Sequence, residues 1–118
     1  MNWIDTPNMQ RLEKYLDLLT FRQGLISSNV ANVDTPGYRT QDVAFEDEMR
    51  RADLRLQDDP VSPHVQEVRG LIERPDGNNV SLDREGLALA RTQLQYRAGV
   101  ELMRSEFHSL QTAINEGK

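Results

Sequence analysis

The stretch Ile26-Ser27-Ser28-Asn29-Val30-Ala31-Asn32-Val33-Asp34-Thr35-Pro36-Gly37-Tyr38-Arg39 separates a regularly patterned segment from an irregular one, and that separation decides the fold. Pro36 disfavours helical dihedrals at Thr35 and Gly37 supplies a permissive turn, so a helix arriving from the N-terminal side stops near Asn32 to Thr35. Upstream, apolar side chains recur at Met9, Leu12, Leu16, Leu19, Ile26, Val30 and Val33 in steps of three and four, interrupted once by Gln23. Asp5-Thr6-Pro7 is a start signal, because Thr6 can accept a bond from an orphan amide and Pro7 is pre-set for the first helical position. At about 1.5 Å per residue, the rod from Pro7 to Val33 is roughly 40 Å long.

Downstream of the irregular segment a second helix starts at Ser81 or Leu82, with Ser81 as cap and Asp83 and Glu85 near its positive end. Its seam runs Leu82, Leu89, Gln93, Tyr96, Val100, Met103, Phe107, Leu110 and Ile114, and Gly117 ends it. A second stripe passes through Leu87, Leu94 and Leu102. The fold expected is mainly α: two long terminal helices pair as an antiparallel coiled-coil-like hairpin through these seams. One hairpin cannot cover all the stripes, so Leu18, Phe21 and Leu25 and the second stripe are expected to stay exposed until other chains bury them. Gln23 and Gln93, the polar interruptions, are tolerated seam positions or register-setting ones.

Residues 1–39 then form the N-terminal helix with its exit, 40–80 a middle segment and 81–118 the C-terminal helix. Within the middle, Asp42 to Gln57 has a weak apolar pattern suited to a short, highly charged helix or an extended run. Pro60, Pro63 and Pro75 with Gly70 and Gly77 exclude long helices from Asp58 to Asn79. Val65–Arg69 and Leu71–Arg74 can form short β-strands, and Asp76-Gly77-Asn78-Asn79 is turn chemistry.

A chain of 118 residues fits one small domain with little room for a large cleft. The formal charge of -5 comes entirely from residues 34–80, and the absence of clustered Lys and Arg argues against a nucleic-acid partner. No cysteine is present, which leaves the redox compartment open. Met1-Asn2-Trp3-Ile4-Asp5 lacks the basic start and apolar core of a secretory signal, and no stretch is long and apolar enough for a membrane span.

Catalytic patterns fail one by one. His108 neighbours Ser109, but adjacent helical residues do not face each other. Asp42 and Glu46 share a helical spacing without a third metal ligand, and Glu46-Asp47-Glu48 is expected to be a solvated face. The run from Asp76 fails as a calcium loop because Ser81 and Leu87 occupy its sixth and twelfth positions. No enzyme, metal site or cofactor site is therefore expected.

What Pro36 and Gly37 do not explain is the choice of small polar residues at Ser28, Asn29 and Asn32, where ordinary helix formers are more stable. At this run the chain resembles the flagellar rod and hook proteins, whose N-terminal signature is close to Ala-Asn-Asn-Leu-Ala-Asn-x-x-Thr-Pro-Gly-Tyr. Asn29, Ala31, Asn32, Thr35, Pro36, Gly37 and Tyr38 match; Ser27, Ser28 and Val30 depart conservatively. Asp42-Val43-Ala44-Phe45, the run from Asp76 to Glu85, Tyr96 and Leu110–Ile114 are similar to the proximal rod members. The short middle fits as well, since distal relatives insert larger β domains there.

The resemblance implies a structural subunit that joins the membrane ring to the distal rod and transmits torque. Its terminal helices would line a tube, with packing through Leu12, Leu16, Leu19, Ile26, Val30, Leu89, Tyr96, Val100, Met103, Phe107, Leu110 and Ile114. Ser28, Asn29, Asn32, Thr35, Pro36, Gly37 and Tyr38 would contact the adjacent subunit. The implied partners are other rod subunits, copies of the same chain, the rod-to-ring adaptor, the membrane ring and the flagellar type III export apparatus. Through the last of these it would reach the periplasm-spanning basal body as an uncleaved chain. The alternatives are the sister proximal rod subunit and, from another class, a cytoplasmic coiled-coil adaptor, which would have no reason to carry the signature.

Overall fold

The computed structural model describes residues 6–54 and 62–117. Expectations concerning residues 1–5, 55–57 and Pro60 lie outside them. The elements in chain order are α1 (Pro7–Ala31), β1 (Gln41–Val43), α2 (Phe45–Leu54), β2 (Val65–Glu67) and α3 (Leu82–Glu116).

Both long helices begin and end where their local chemistry directs. The Thr6 hydroxyl accepts the Met9 N–H at 3.2 Å, Pro7 opens α1, and Asn32 closes it by donating its N–H to Ser28 and Asn29 carbonyls. The Ser81 hydroxyl accepts the Arg84 N–H at 3.3 Å and Gly117 terminates α3. The two helices run antiparallel: Met9 lies beside Val100, Met103 and Phe107, while Asn29 bonds to Glu85. With 35 residues against 25, α3 outreaches α1, and the molecule measures 68 × 26 × 19 Å.

The contact line between the helices follows the expected seam on α1 more closely than on α3. Met9, Leu19 and Ile26 are buried and Leu12 and Leu16 half-buried, but Val30 is exposed while its neighbour Asn29 takes the buried place on the last turn. On α3 the buried positions are Glu85, Thr92 and Gly99, while Leu89, Val100, Met103 and Leu110 are half-buried flanks. Leu82, Tyr96, Phe107 and Ile114 remain exposed. The reason is steric. A Cβ placed on Gly99 would lie 2.8 Å from Leu16 Cδ2 and 3.3 Å from the Tyr15 ring, so the small residues of α3, not its largest, mark the line of closest approach. Gln23 and Gln93 come to line one open cleft with Tyr96 and Arg97.

Leu18 corrects the expectation of exposure: it is 1% exposed. A second stripe of α1 holds the middle segment, and Leu18 lies within it, one turn from Tyr15 and from Arg22. The Tyr15 ring meets Phe45 edge-on at 5.5 Å, and the Arg22 guanidinium lies 5.7 Å from the Phe45 centroid while pairing bidentately with Asp42 at 3.1 Å. Farther along the same stripe, Lys14 Nζ donates to the Ala52 carbonyl at 2.7 Å and Arg11 to Asp53 at 2.7 Å. Phe21 stays exposed and Leu25 half-buried.

The strands also differ in place from the sequence reading. Gln41–Val43, of which Asp42 and Val43 were read as the start of a helical or extended run, pairs antiparallel with Val65–Glu67 in the register Gln41↔Glu67, Asp42↔Gln66, Val43↔Val65. The Val68 N–H extends this ladder to the Thr40 carbonyl at 2.9 Å, after which Gly70, at φ 84, turns the chain away. Among the described residues Leu71–Arg74 therefore has no strand to pair with, and Ile72 is left 91% exposed.

Glu48 corrects the solvated-face reading of the acidic run, being 3% exposed. It accepts the His64 N–H at 3.0 Å, pairs with Arg51 at 3.0 Å and lies 3.2 Å from His64 Nδ1, so it fastens the returning chain to α2. Burial opposes its ionisation, but the His64 bonds and Arg51 outweigh burial and hold the carboxyl below its ordinary value of 4.5.

Three outcomes follow from this packing. Gly99→Leu, which must displace Tyr15 and Leu16, should destabilise the hairpin by about 1–3 kcal/mol in urea unfolding despite its better helix propensity. Gly24→Ala, with nothing within 4 Å of the added Cβ, should instead stabilise the isolated chain by about 1 kcal/mol. Because the Glu48 value is depressed on folding, its contribution is present above 4.5 and is lost as pH falls through the lower folded value. Glu48→Gln should thus lower the urea midpoint most at neutral pH, and the difference from the unaltered chain should shrink on acidification.

Candidate assembly site at the helix exit

The last turns of α1 carry amides because three other segments converge there. Asn29 is 1% exposed and its side chain makes four hydrogen bonds. Its Nδ2 donates to the Gln41 carbonyl at 2.9 Å and to Glu85 Oε2 at 3.2 Å, while its Oδ1 accepts the Tyr38 hydroxyl at 3.0 Å and the Gln41 N–H at 3.1 Å. That fills the capacity of a primary amide. One residue ties α1 to β1, to Tyr38 and to the first turn of α3.

Asn32 works one turn later. Its Nδ2 donates to the Ser28 carbonyl at 2.8 Å and its Oδ1 accepts the Thr35 hydroxyl at 3.0 Å, which closes the helix end on itself. The freed carbonyls of Asn32 and Thr35 are then both taken by Asn78 Nδ2, at 2.8 and 2.9 Å. Gly37, at φ 77, donates its N–H to the Asp76 carbonyl at 2.9 Å, and the Gly77 site brings an added Cβ to 3.4 Å from Gly37 Cα. The two glycines let two turns touch backbone to backbone.

Around this core the remaining groups close the connections. Asn79 Oδ1 accepts the Thr40 N–H at 2.7 Å, Arg74 donates to the Val33 and Val80 carbonyls, and Arg39 bridges Glu67, Glu73 and the Gly77 carbonyl. Glu85, 0% exposed, is held by Arg84 at 2.7 Å as well as by Asn29, and Arg84 reaches Asp42 at 3.4 Å, where Arg22 also binds.

Of the signature residues, Asn29 and Tyr38 thus direct their polar atoms inward, Asn32 bonds within the exposed helix end, and Ser28 Oγ lies 3.4 Å from the Tyr38 hydroxyl. The surface left outward is Ser28, Thr35, Pro36 and Gly37. Sequence reasoning missed Gln41, Arg74, Asn78 and Glu85 as members of this cluster. The signals were the pair of asparagines after Asp76-Gly77, which turn chemistry alone does not require, and the likeness of the run from Asp76 to Glu85 to the rod proteins. Among the described residues, no three His, Cys, Asp or Glu side chains gather as metal ligands.

Replacing the amide by an acid tests the centre of the network. Asn29→Asp would set a carboxylate 3.2 Å from Glu85 Oε2 with no proton to donate, so the chain should lose about 2–4 kcal/mol at neutral pH. The loss should diminish at about pH 4, where carboxyls regain protons. Urea unfolding at the two pH values measures both.

A family model described as "Flagella basal body rod protein" matches residues 21–39, the second half of α1 and its exit. Flagellar basal body rod protein FlgB of Bacillus subtilis (strain 168) is 31% identical over 122 residues, covering 93% of this chain and 95% of that protein. FlgB of Borreliella burgdorferi is 30% identical over 82% of this chain and 87% of its own length. FlgB of Salmonella typhimurium is 26% identical over 89% and 91%. Similarity of this extent, anchored on the residues that join α1 to the middle segment and to α3, means that the chain belongs to the flagellar basal body rod protein family.

Proposed function

We propose that the protein is a structural subunit of the proximal flagellar rod, joining the membrane ring to the distal rod and carrying torque between them. The observation that carries this reading is the apolar surface of α3: Leu87, Leu94, Leu102, Phe107 and Ile114 are exposed along a 35-residue helix in an elongated hairpin. Soluble monomers rarely leave so long a run of apolar side chains in water, whereas a subunit covered by neighbours needs one. The relatives described above carry the FlgB name and are matched nearly end to end, which favours this subunit over its sister and leaves a coiled-coil adaptor unsupported.

The role is mechanical and not catalytic. Copies of this chain, other rod subunits, the rod-to-ring adaptor and the membrane ring are its neighbours, and the flagellar type III export apparatus delivers it uncleaved. Ser28, Thr35, Pro36 and Gly37 are the signature residues with surface to offer an adjacent subunit, while Asn29, Asn32 and Tyr38 shape that surface from beneath. Torque transmission suits a subunit whose middle segment is fastened at both ends by ion pairs and amide bonds, because a loosely hinged middle would yield before it transmitted force.

The experiment is to purify basal bodies from a strain whose own copy is deleted and replaced by a tagged chain. The unaltered chain should restore swimming and co-purify with the rod. Leu110→Asp, which puts a charge on the part of α3 that outreaches α1, should be exported yet fall about tenfold or more in the purified rod. Absence of the unaltered chain from basal bodies would sink the reading.

A further inference from the structure

Leu87, Leu94 and Leu102 are 62%, 70% and 60% exposed, and Ala90 and Ala98 between them are exposed too. Leu87, Ala90, Leu94 and Ala98 form an apolar seam on the side of α3 turned away from Thr92 and Gly99, with Arg91 and Arg97 beside it and Glu101, paired with Arg104, at its C-terminal end, whereas Leu102, one turn from Gly99, borders the groove with Leu12, Tyr15 and Met49. Neither Arg91 nor Arg97 has an ion-pair partner among the described residues.

On α1 the charges are sorted by face. Arg11, Lys14 and Arg22 all turn to the middle segment, where they meet Asp53, the Ala52 carbonyl and Asp42. Among the described residues the charges of the outward face are acids, Glu13 and Asp17, followed by the small residues Thr20, Gly24, Ser27 and Ala31, all exposed, with exposed Phe21 at the margin. Gly24 is the informative one. A glycine inside a helix costs stability, and while Gly99 is required by Tyr15 and Leu16, nothing in this chain comes within 4 Å of a Cβ at Gly24. Close approach by another helix supplies the missing reason.

We propose that the outward face of α3, built on Leu87 and Leu94 with Ala90 and Ala98, docks on the outward face of α1 in a second copy of this chain. Arginines then meet acids, and leucines meet small side chains. The proposal rests on the rod-subunit reading and assigns the faces that such a subunit uses. Pairing of α3 with itself is disfavoured by the same charges, since a two-fold axis at Leu94 would set Arg91 against Arg97 of the partner subunit. It is also a poorer route to a rod: a contact between identical patches closes a dimer, whereas one between different faces leaves a free face at each end for the next copy.

Charge reversal tests this without knowledge of the register. Three forms of the full chain are placed in the deletion strain: R91E with R97E, E13K with D17K, and all four together. The four positions are exposed, so circular dichroism should show the hairpin intact in each. Incorporation into purified basal bodies is divided by the amount exported, so an export defect does not count as a docking defect. Each two-site form should incorporate about tenfold less than the unaltered chain, and the four-site form should recover to within about threefold of it. Full incorporation of both two-site forms overturns the docking. A four-site form no better than either parent overturns the second copy as occupant and points to a different subunit. Either failure, with the unaltered chain still in the rod, leaves the rod-subunit reading standing.

Discussion

A buried primary amide that must find four partners governs the architecture. Asn29 finds them in Tyr38, Gln41 and Glu85, residues that lie close in sequence in two cases and 56 positions away in the third. Leaving any of those groups unmatched in a water-excluded place costs more than a matched bond contributes, so the cluster favours one arrangement strongly over its neighbours. The direction in which the chain leaves α1, the start of β1 and the position of the first turn of α3 are fixed together. The loops around them can be short because each freed carbonyl at the helix end already has a donor in Asn78 or Arg74.

The middle segment is held mainly by polar contacts, consistent with its composition. It buries Val43, Ala52 and Val80, a small apolar set, and relies on Asp42, Glu48 and Asp53 to meet bases on α1, on α2 and at the start of α3. The Arg11–Asp53 pair is largely exposed and adds little on its own. Asp42 differs: two arginines from the two long helices converge on it, so the middle segment acts as a clamp across the hairpin. The excess of acid that the sequence places in residues 34–80 therefore has a structural use close to the helices.

Local chemistry was legible in the sequence wherever one residue acts on its own backbone. Thr6 with Pro7, Asn32 before Pro36, Ser81 and Gly117 mark the helix ends because capping and φ restriction depend on neighbours within four residues. The contact face of α3 was not legible. Periodicity ranks a residue by its apolarity, so it favoured Tyr96, Phe107 and Ile114, whereas the approach of two helices is limited by bulk and selects Thr92 and Gly99. Leu18 was misjudged for a related reason: it lies on the stripe where Tyr15 and Arg22 meet Phe45, and no local pattern announces that meeting of the middle segment with α1. In the cluster at the helix exit the signature residues were visible, but Asn78 and Glu85 were not, since their partners lie 46 and 56 residues away.

Register along the hairpin is the last consequence of the same amide. Gln23 and Gln93, read from the sequence as tolerated seam positions or register-setting ones, both face an open cleft where water can satisfy them in any register. Asn29 and Glu85 have no such freedom, being buried. A slip of α3 by one turn would bring Ser81 or Leu89 into the place of Glu85 and carry Arg84 away from Asp42; the first offers Nδ2 a hydroxyl in place of a carboxylate, and the second lacks any acceptor. The apolar seam would tolerate the slip better, because half-buried Leu89, Val100 and Met103 can exchange places at similar cost. Apolar burial thus draws the helices together, and the buried polar pair decides where they stop, a division of roles familiar from single asparagines in coiled coils.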